Sequence, residues 1–438
     1  MGKVLVLGAG PSAVVTSILL RRMGHDVELV GRVRKRSFLE GASPRVVEGL
    51  QRAGCTRSLK LMAGRHPRWS AWGGEPRLAN YEFVVERGAL DFALLQDARD
   101  AGVEVVEAHV LLVRQVDQAW IAFATDAGGR KLQLHGEFLV EARGRGAPKA
   151  QPDEHSSMRS VALIRQFTSA RCREAMTFSE PFENGWSWAT CASDGLCSIQ
   201  VVLGAGIFAQ HSSESLESLH ARMYRQLECL PDVLGNVIPA GPAHSRGIQP
   251  VRRGGIVGMT SLRVGDAAYC VDPLCGHGLY EAISGAFAAA PTINTLLSAP
   301  ASSELAIRFY EHRATRIFFQ RISAGGYFYS SVGRWDESPF WTQAKSIAPS
   351  PRFTSTPAVG LAKRAVIVEG LIQEREVLIT PEHPEGIRFV AGADLVDVLR
   401  SPNPAERIDA LKDVLSRAQV PGDQARALMA VLKQSTPN

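Results

Sequence analysis

KVLVLGAGPSAVVTSILLRRMGHDVELVGR, residues 3–32, runs from an apolar stretch through a glycine turn into an amphipathic helix and a second apolar stretch. Strand, turn, helix and strand within about 30 residues form the opening β-α-β unit of a dinucleotide-binding sheet. Gly8 permits the tight turn and Gly10 lets backbone approach a pyrophosphate. Ala13 takes the third small position, where helix and strand touch. Amides at the start of that helix then face the phosphates.

The second strand departs from the usual pattern. An Asp or Glu is expected at its carboxyl end to hold a ribose hydroxyl pair, but Gly31-Arg32 stands there. Glu28 lies inside the strand and reads better as a strand charge than as a ribose contact. Glycine followed by arginine also suits a 2'-phosphate, so this segment alone is compatible with an NADP site.

Composition narrows the field from outside. A chain of 438 residues is long enough for two to three domains and can enclose a large cofactor. Its formal charge of +5 is small for that length, and no basic run calls for nucleic acid. Seven cysteines without a C-x-x-C pair match neither a disulfide framework nor a zinc signature, so no metal is expected. A reducing cytoplasm is the expected location. No signal-peptide pattern precedes Val4, and no apolar run is long enough for a membrane span.

Three further segments carry the cofactor reading. VVERGALDFALLQDARDAGVEVVEA gives a strand ending at Glu86-Arg87, a helix of about four turns and another strand. EFLVEARGRGAP is an apolar strand running into a glycine-arginine loop. LRVGDAAYCVDPLCGHGLYEAISGAFAAA, residues 262–290, reads as a short strand, an Asp at its end, a Pro and Gly turn, and a long helix of small residues.

The amino-terminal glycines, Arg87 ahead of a Leu-Asp pair, and Gly265-Asp266 followed by Asp272-Pro273 and Gly276-x-Gly278 resemble the group A FAD-dependent monooxygenases and flavin halogenases. The resemblance implies one FAD, which displaces the NADP reading, with NADH or NADPH as a transient reductant. It implies that Asp266 binds the ribityl chain or pyrophosphate and that Arg87 lies near the adenine-side ribose and phosphates. Arg32 or Arg45 would replace the missing ribose acid. Pro273 to Gly278 would pass beside the isoalloxazine, with the amides of Gly276 and Gly278 near the anionic edge of reduced flavin. His277 could then donate to a flavin C4a-hydroperoxide or accept a ring proton, or simply hold the loop. Cys275 beside it is a packing or redox residue.

FLEGASPRVVEGLQRAG, residues 38–54, is similar to flavoproteins that accompany tryptophylquinone enzymes, the peptidyl-tryptophan hydroxylases of the quinohemoprotein amine dehydrogenase maturation type. That likeness implies a partner polypeptide whose tryptophan side chain is hydroxylated. Halogenases of the superfamily carry W-x-W-x-I-P beside the flavin and a lysine on a substrate-side loop. Here Trp186-x-Trp188 continues as Ala189-Thr190-Cys191, and Lys60 sits in an unrelated setting, RSLKLMAGRH. Oxygen insertion is therefore favoured over halide chemistry, with hydroxylation or halogenation of a free aromatic metabolite, or flavin-dependent reduction, as alternatives.

WSWATCASDGLCSIQVVL reads as a β-hairpin turning at Asp194-Gly195, which puts Trp186 and Trp188 on one face, either as packing or as a substrate wall. His244, Arg246, Arg252 and Arg253 precede the second fingerprint, as entrance residues or solvated loop charges. The expected architecture is α/β: a Rossmann-like FAD domain in three pieces (1–58, 86–150 and 256–300), with an inserted β-sheet substrate domain (59–85 and 151–255). Covering helices at 301–345 come next, then a linker and a small helical carboxyl-terminal domain at 346–438.

Overall fold

A computed structural model of the chain describes residues 2–33, 38–117, 119–149, 151–155, 158–347, 360–380, 383–390 and 393–400, with 409, 410, 412, 413 and 416. The opening stretch forms β1 (Lys3–Leu7), α1 (Pro11–Arg22) and β2 (Asp26–Gly31). β3 (Leu39–Ala42), α2 (Pro44–Ala53), α3 (Thr56–Leu59), β4 (His66–Ser70) and β5 (Arg77–Glu86) follow. Next come α4 (Arg87–Asp100), β6 (Glu104–Val116), β7 (Ala119–Asp126), β8 (Lys131–Gly136) and β9 (Phe138–Glu141). The short strand β10 (Glu154–His155) leads to four long strands, β11 (Ser160–Ser169), β12 (Met176–Phe182), β13 (Gly185–Cys191) and β14 (Leu196–Gly204).

After these come the helices α5 (Ala205–Gln210), α6 (Leu216–Tyr224) and α7 (Cys229–Leu234), then five short strands. These are β15 (Val237–Pro239), β16 (His244–Gly247), β17 (Val251–Arg252), β18 (Ser261–Arg263) and β19 (Tyr269–Cys270). The chain continues into α8 (Gly278–Ser298), α9 (Ser303–Ser330) and α10 (Pro339–Lys345), then a hairpin of β20 (Gly360–Val368) and β21 (Leu371–Ile379).

The first sheet has the order β18-β9-β1-β2-β6-β7-β8. Its first five strands are parallel, and β6 to β8 return as an antiparallel meander. Alternation along β1 explains the layering. Val4 and Val6 pack with residues of α1 and α8, whereas Leu5 and Leu7 pack with Ala122 and Ala124 of the meander. Both faces are covered, so β1 reads as a continuous apolar run.

The second sheet follows β15-β11-β14-β13-β12-β4-β5-β3, with β16 beside β11. Asp194-Gly195 does turn a hairpin, and β13 and β14 pair from Gly185↔Leu203 to Cys191↔Cys197. β3 pairs with β5, so the segment after the first fingerprint crosses into this sheet. Helices α6 and α7 cover one face through Leu219, Met223, Leu230 and Leu234. The other face turns Trp186 and Trp188 toward the first sheet's strand ends.

Helix α9 ties the two halves together, with Tyr310, Ala314 and Phe318 in the core of the first and Tyr329 in that of the second. The β20–β21 hairpin stands where the sequence implies a linker and a small helical domain. It clamps the back of α8, where Asn294 Nδ2 donates to the Gly370 carbonyl and the Ile372 amide to Thr295 Oγ1. Most of the expected Ser/Pro/Thr-rich linker, and the two helices expected within 405–434, lie outside the described residues. No described helix is long and apolar enough to cross a membrane.

Candidate FAD site and its aromatic wall

A cavity of about 670 Å³ opens where β1, β2 and β9 end and reaches the face of β13. At one end stand Gly8, Gly10 and Ser12; at the other, Trp186, Trp188, Thr190 and Gln200. The glycines are there for different physical reasons. Gly8 has φ +128°, and a Cβ on it would lie 2.4 Å from the Ala142 carbonyl oxygen. Gly10 precedes α1 with nothing within 4 Å of where its Cβ would be, so it borders open space. Ala13 is fully buried within α1, away from the lining. The second fingerprint docks on the first: Gly265, at φ +63°, would put a Cβ 2.5 Å from Ser12 Oγ.

Gly31 explains the missing acid. A Cβ at this position would lie 2.6 Å from Gly8 C and 2.8 Å from Ala9 N. The phosphate turn leans so closely on the end of β2 that no side chain fits. Glu28, two residues before the nearest lining residue Val30, pairs instead with Lys3 at 3.1 Å.

Arg32 lines the cavity, as do Glu40, Arg87 and Asp91. The Arg87 guanidinium donates to Glu40 at 2.7 Å and to Asp91 at 2.9 Å. Burial works against its charge, but the two carboxylates together push its pKa above the usual arginine value. Arg45 does not line the cavity and rests its guanidinium 5.8 Å from the Tyr280 ring centre.

Asp266 lies on the cavity wall within 3.4 Å of Arg145 and 3.8 Å of Arg246. Arg143, also in the wall, is held by Glu141. Of the other basic residues ahead of the second fingerprint, Arg252 pairs with Glu154, and Arg253 is buried against Asp153. The arginines of the 143–145 loop went unassigned in the sequence, although the GRG spacing after an apolar strand was visible.

Pro273, Gly276 and Gly278 line the far end of the cavity. Asp272 is buried, accepting from the Leu274 amide at 2.9 Å and the Tyr329 hydroxyl at 2.8 Å. Burial pushes its pKa above the usual carboxylate range despite both donors. Gly276 has φ +62°, and its Cβ would lie 3.3 Å from Trp188 and 3.4 Å from Arg68. Arg68 also stacks over Trp188 at 4.8 Å, a contact that nothing in the spacing announced.

His277 precedes α8 without capping it through its side chain, and its ring meets Tyr280 edge-on at 6.3 Å. It stands outside the lining, and Cys275 belongs to the turn Pro273–Cys275. On the sheet side, Trp188 Nε1 donates to Thr190 Oγ1 at 3.1 Å. Trp186 is 1% exposed, with Trp72 edge-on to it at 6.3 Å, and its Nε1–H has no partner among the described residues.

Taken together, these residues suit FAD. The two docked glycine turns, with helix amino termini behind them, suit a pyrophosphate. The Arg87 pair suits the ribose end, and the aromatic wall suits a flat ring. Fold and site thus define an FAD-binding flavoprotein.

Residues 1–211 match the family model described as FAD binding domain. The whole chain aligns with the whole of a peptidyl tryptophan dihydroxylase, QhpG, described as essential for tryptophylquinone cofactor biogenesis, at 30% identity and a TM-score of 0.79. The tryptophan 2-halogenase of Chondromyces crocatus is 24% identical over 373 residues, 78% of this chain and 70% of that protein. The flavin-dependent halogenase CmlS shares the fold at a TM-score of 0.77 and 18% identity, covering 99% of this chain and 95% of its own. The chain belongs to the superfamily of group A FAD-dependent monooxygenases and flavin halogenases, and is a flavin-dependent oxidoreductase.

Proposed function

We propose that the protein is an FAD-dependent monooxygenase that hydroxylates a tryptophan side chain of a partner polypeptide during quinone cofactor biogenesis, with NADH or NADPH as transient reductant. The observation that carries this reading is the end-to-end likeness to a peptidyl tryptophan dihydroxylase at 30% identity. The aromatic wall supports it independently. Where a halogenase has W-x-W-x-I-P, the corresponding positions here are Thr190 and Cys191, and the threonine hydroxyl accepts from Trp188.

Reduced FAD would supply activated oxygen, and the chain's residues would do the positioning. Trp186 and Trp188, both in the cavity lining, would wall the space beside an incoming indole and exclude water from it. Asp272 secures the Pro273–Gly278 turn by accepting from the Leu274 amide and the Tyr329 hydroxyl. His277 is the turn's candidate for moving a proton, while Pro273 would set the turn beside the ring and Cys275 would pack there or act in redox chemistry.

The test incubates FAD-loaded protein with reductant, oxygen, chloride and bromide, together with candidate tryptophan-bearing polypeptides and free tryptophan. Mass spectrometry should find one or two added oxygen atoms on a polypeptide indole. A halogen adduct, or modification of free tryptophan alone, would defeat the proposal.

A further inference from the structure

Trp186 and Trp188 face the cavity, so the alternate residues of the same strand face the opposite layer, where Cys191 meets two other thiols. Cys191 and Cys197 are fully buried and Cys172 is 5% exposed. Their three sulfurs all lie within 4.8 Å of one another. They arrive from separate places: Cys191 closes β13, Cys197 lies near the start of β14, and Cys172 lies in the turn after β11.

The backbone holds each in place. Cys191 and Cys197 are directly opposed across the hairpin. The neighbouring pair carries the ladder bond from the Ala192 amide to the Leu196 carbonyl, so the cysteines occupy the close, non-hydrogen-bonded site. The Cys172 amide donates to Ser169 Oγ, which itself donates to the Leu234 carbonyl.

We propose that Cys172, Cys191 and Cys197 bind one Zn2+ as thiolates, on the face of the sheet opposite the FAD cavity. With Zn–S bonds of about 2.3 Å, tetrahedral ligands stand roughly 3.8 Å apart. The sulfurs need to close by about 1 Å at most, within the reach of side-chain rotation. Binding releases three thiol protons and leaves a single net negative charge at the centre.

A second observation points the same way. Tyr224 packs against the same core cluster as the three cysteines, and its hydroxyl is buried with no partner among the described residues. A hydroxyl in that position can donate to a thiolate or supply the fourth, oxygen ligand. Carbonyls are also at hand, since Cys172 Sγ lies 3.4 Å from the Glu174 oxygen and Cys197 Sγ 3.5 Å from that of Gly195. The absence of a C-x-x-C pair hid the cluster, because the fold rather than local spacing assembles it.

The test measures zinc by inductively coupled plasma mass spectrometry in the FAD-bound full chain, purified without chelators from zinc-supplemented growth. One zinc per chain is expected in the wild type and in Cys229→Ser, whose thiol lies outside the cluster. Loss of zinc is expected in Cys191→Ser with flavin content retained. Should Cys191→Ser fail to fold, Cys172→Ser in the turn replaces it, and titrating the wild type with a mercurial should release zinc in step with thiol loss. Absence of zinc with no uptake of added Zn2+, or an intact Cys191–Cys197 disulfide in the mass spectrum, would overturn the proposal. None of these readouts depends on what the FAD site does.

Discussion

Restoring the acid that the second strand lacks should damage the protein rather than repair it. Gly31→Ala already places a Cβ 2.6 Å from Gly8 C and 2.8 Å from the Gly8 carbonyl oxygen, and backbone cannot rotate aside as a side chain can. Overpacking of this kind costs about 1–3 kcal/mol. Expressed in the phosphate turn, that range weakens FAD binding by roughly 5- to 150-fold, at about 1.4 kcal/mol per factor of ten. Gly31→Glu should be worse still.

Gly10→Ala provides the contrast. Its Cβ enters open space at a residue with φ −88°, which alanine tolerates, so the apo fold should be unaffected. FAD binding should still fall, because that space is where a pyrophosphate would lie against the amides. Flavin fluorescence titration gives both dissociation constants, and thermal melts of the apoproteins give the stabilities. The expected pattern is loss of both properties at position 31 and of binding alone at position 10. The reasoning is refuted if Gly31→Glu binds FAD as well as the wild type does.

Arg87→Met strands the Glu40 and Asp91 carboxylates, and the removal of one partner from a buried ionic set costs about 3–5 kcal/mol. Urea unfolding of the apoprotein should show that loss, and a change under about 1 kcal/mol would make the ion pairs incidental. Asp266→Ala should lower the flavin content of purified protein at least tenfold, since charge-assisted contacts contribute about 1.5–3 kcal/mol each. Unchanged yellow absorbance would remove Asp266 from the site.

His220 is fully buried, and burial lowers its pKa from 6.5 to about 4. The unfolded chain therefore takes up a proton before the folded one does. The stability this confers is complete above pH ~6.5 and should decline by up to about 3 kcal/mol as pH falls toward 4. His220→Phe should flatten that limb of the stability profile, and an unaltered slope would show that other groups set it.

How much of this could be read from the sequence depended on the range of the interaction involved. Gly8, Gly10, Gly265-Asp266 and the Asp194-Gly195 turn are local statements about backbone, and the structure puts each turn or strand end in its expected setting. The ribose end needed distance. Arg45 lies only 14 residues beyond Gly31 in sequence, but its helix turns it toward Tyr280. Glu40 and Arg87 meet only because β3 crosses to pair with β5.

The same limit applies at the hairpin. Period-2 alternation was enough to put Trp186 and Trp188 on one face. It could not show that Arg68 caps Trp188 from another strand, or that Cys172 returns to meet Cys191 and Cys197. One strand thus serves two layers. Its even positions wall the FAD cavity and its odd positions reach the cysteine cluster, with Cys191 in place of the halogenase proline. A proline there could offer no sulfur. Thr190 stands on the cavity face where the halogenase motif has isoleucine, and Cys191, in the place of its proline, contributes to the thiol trio on the other face.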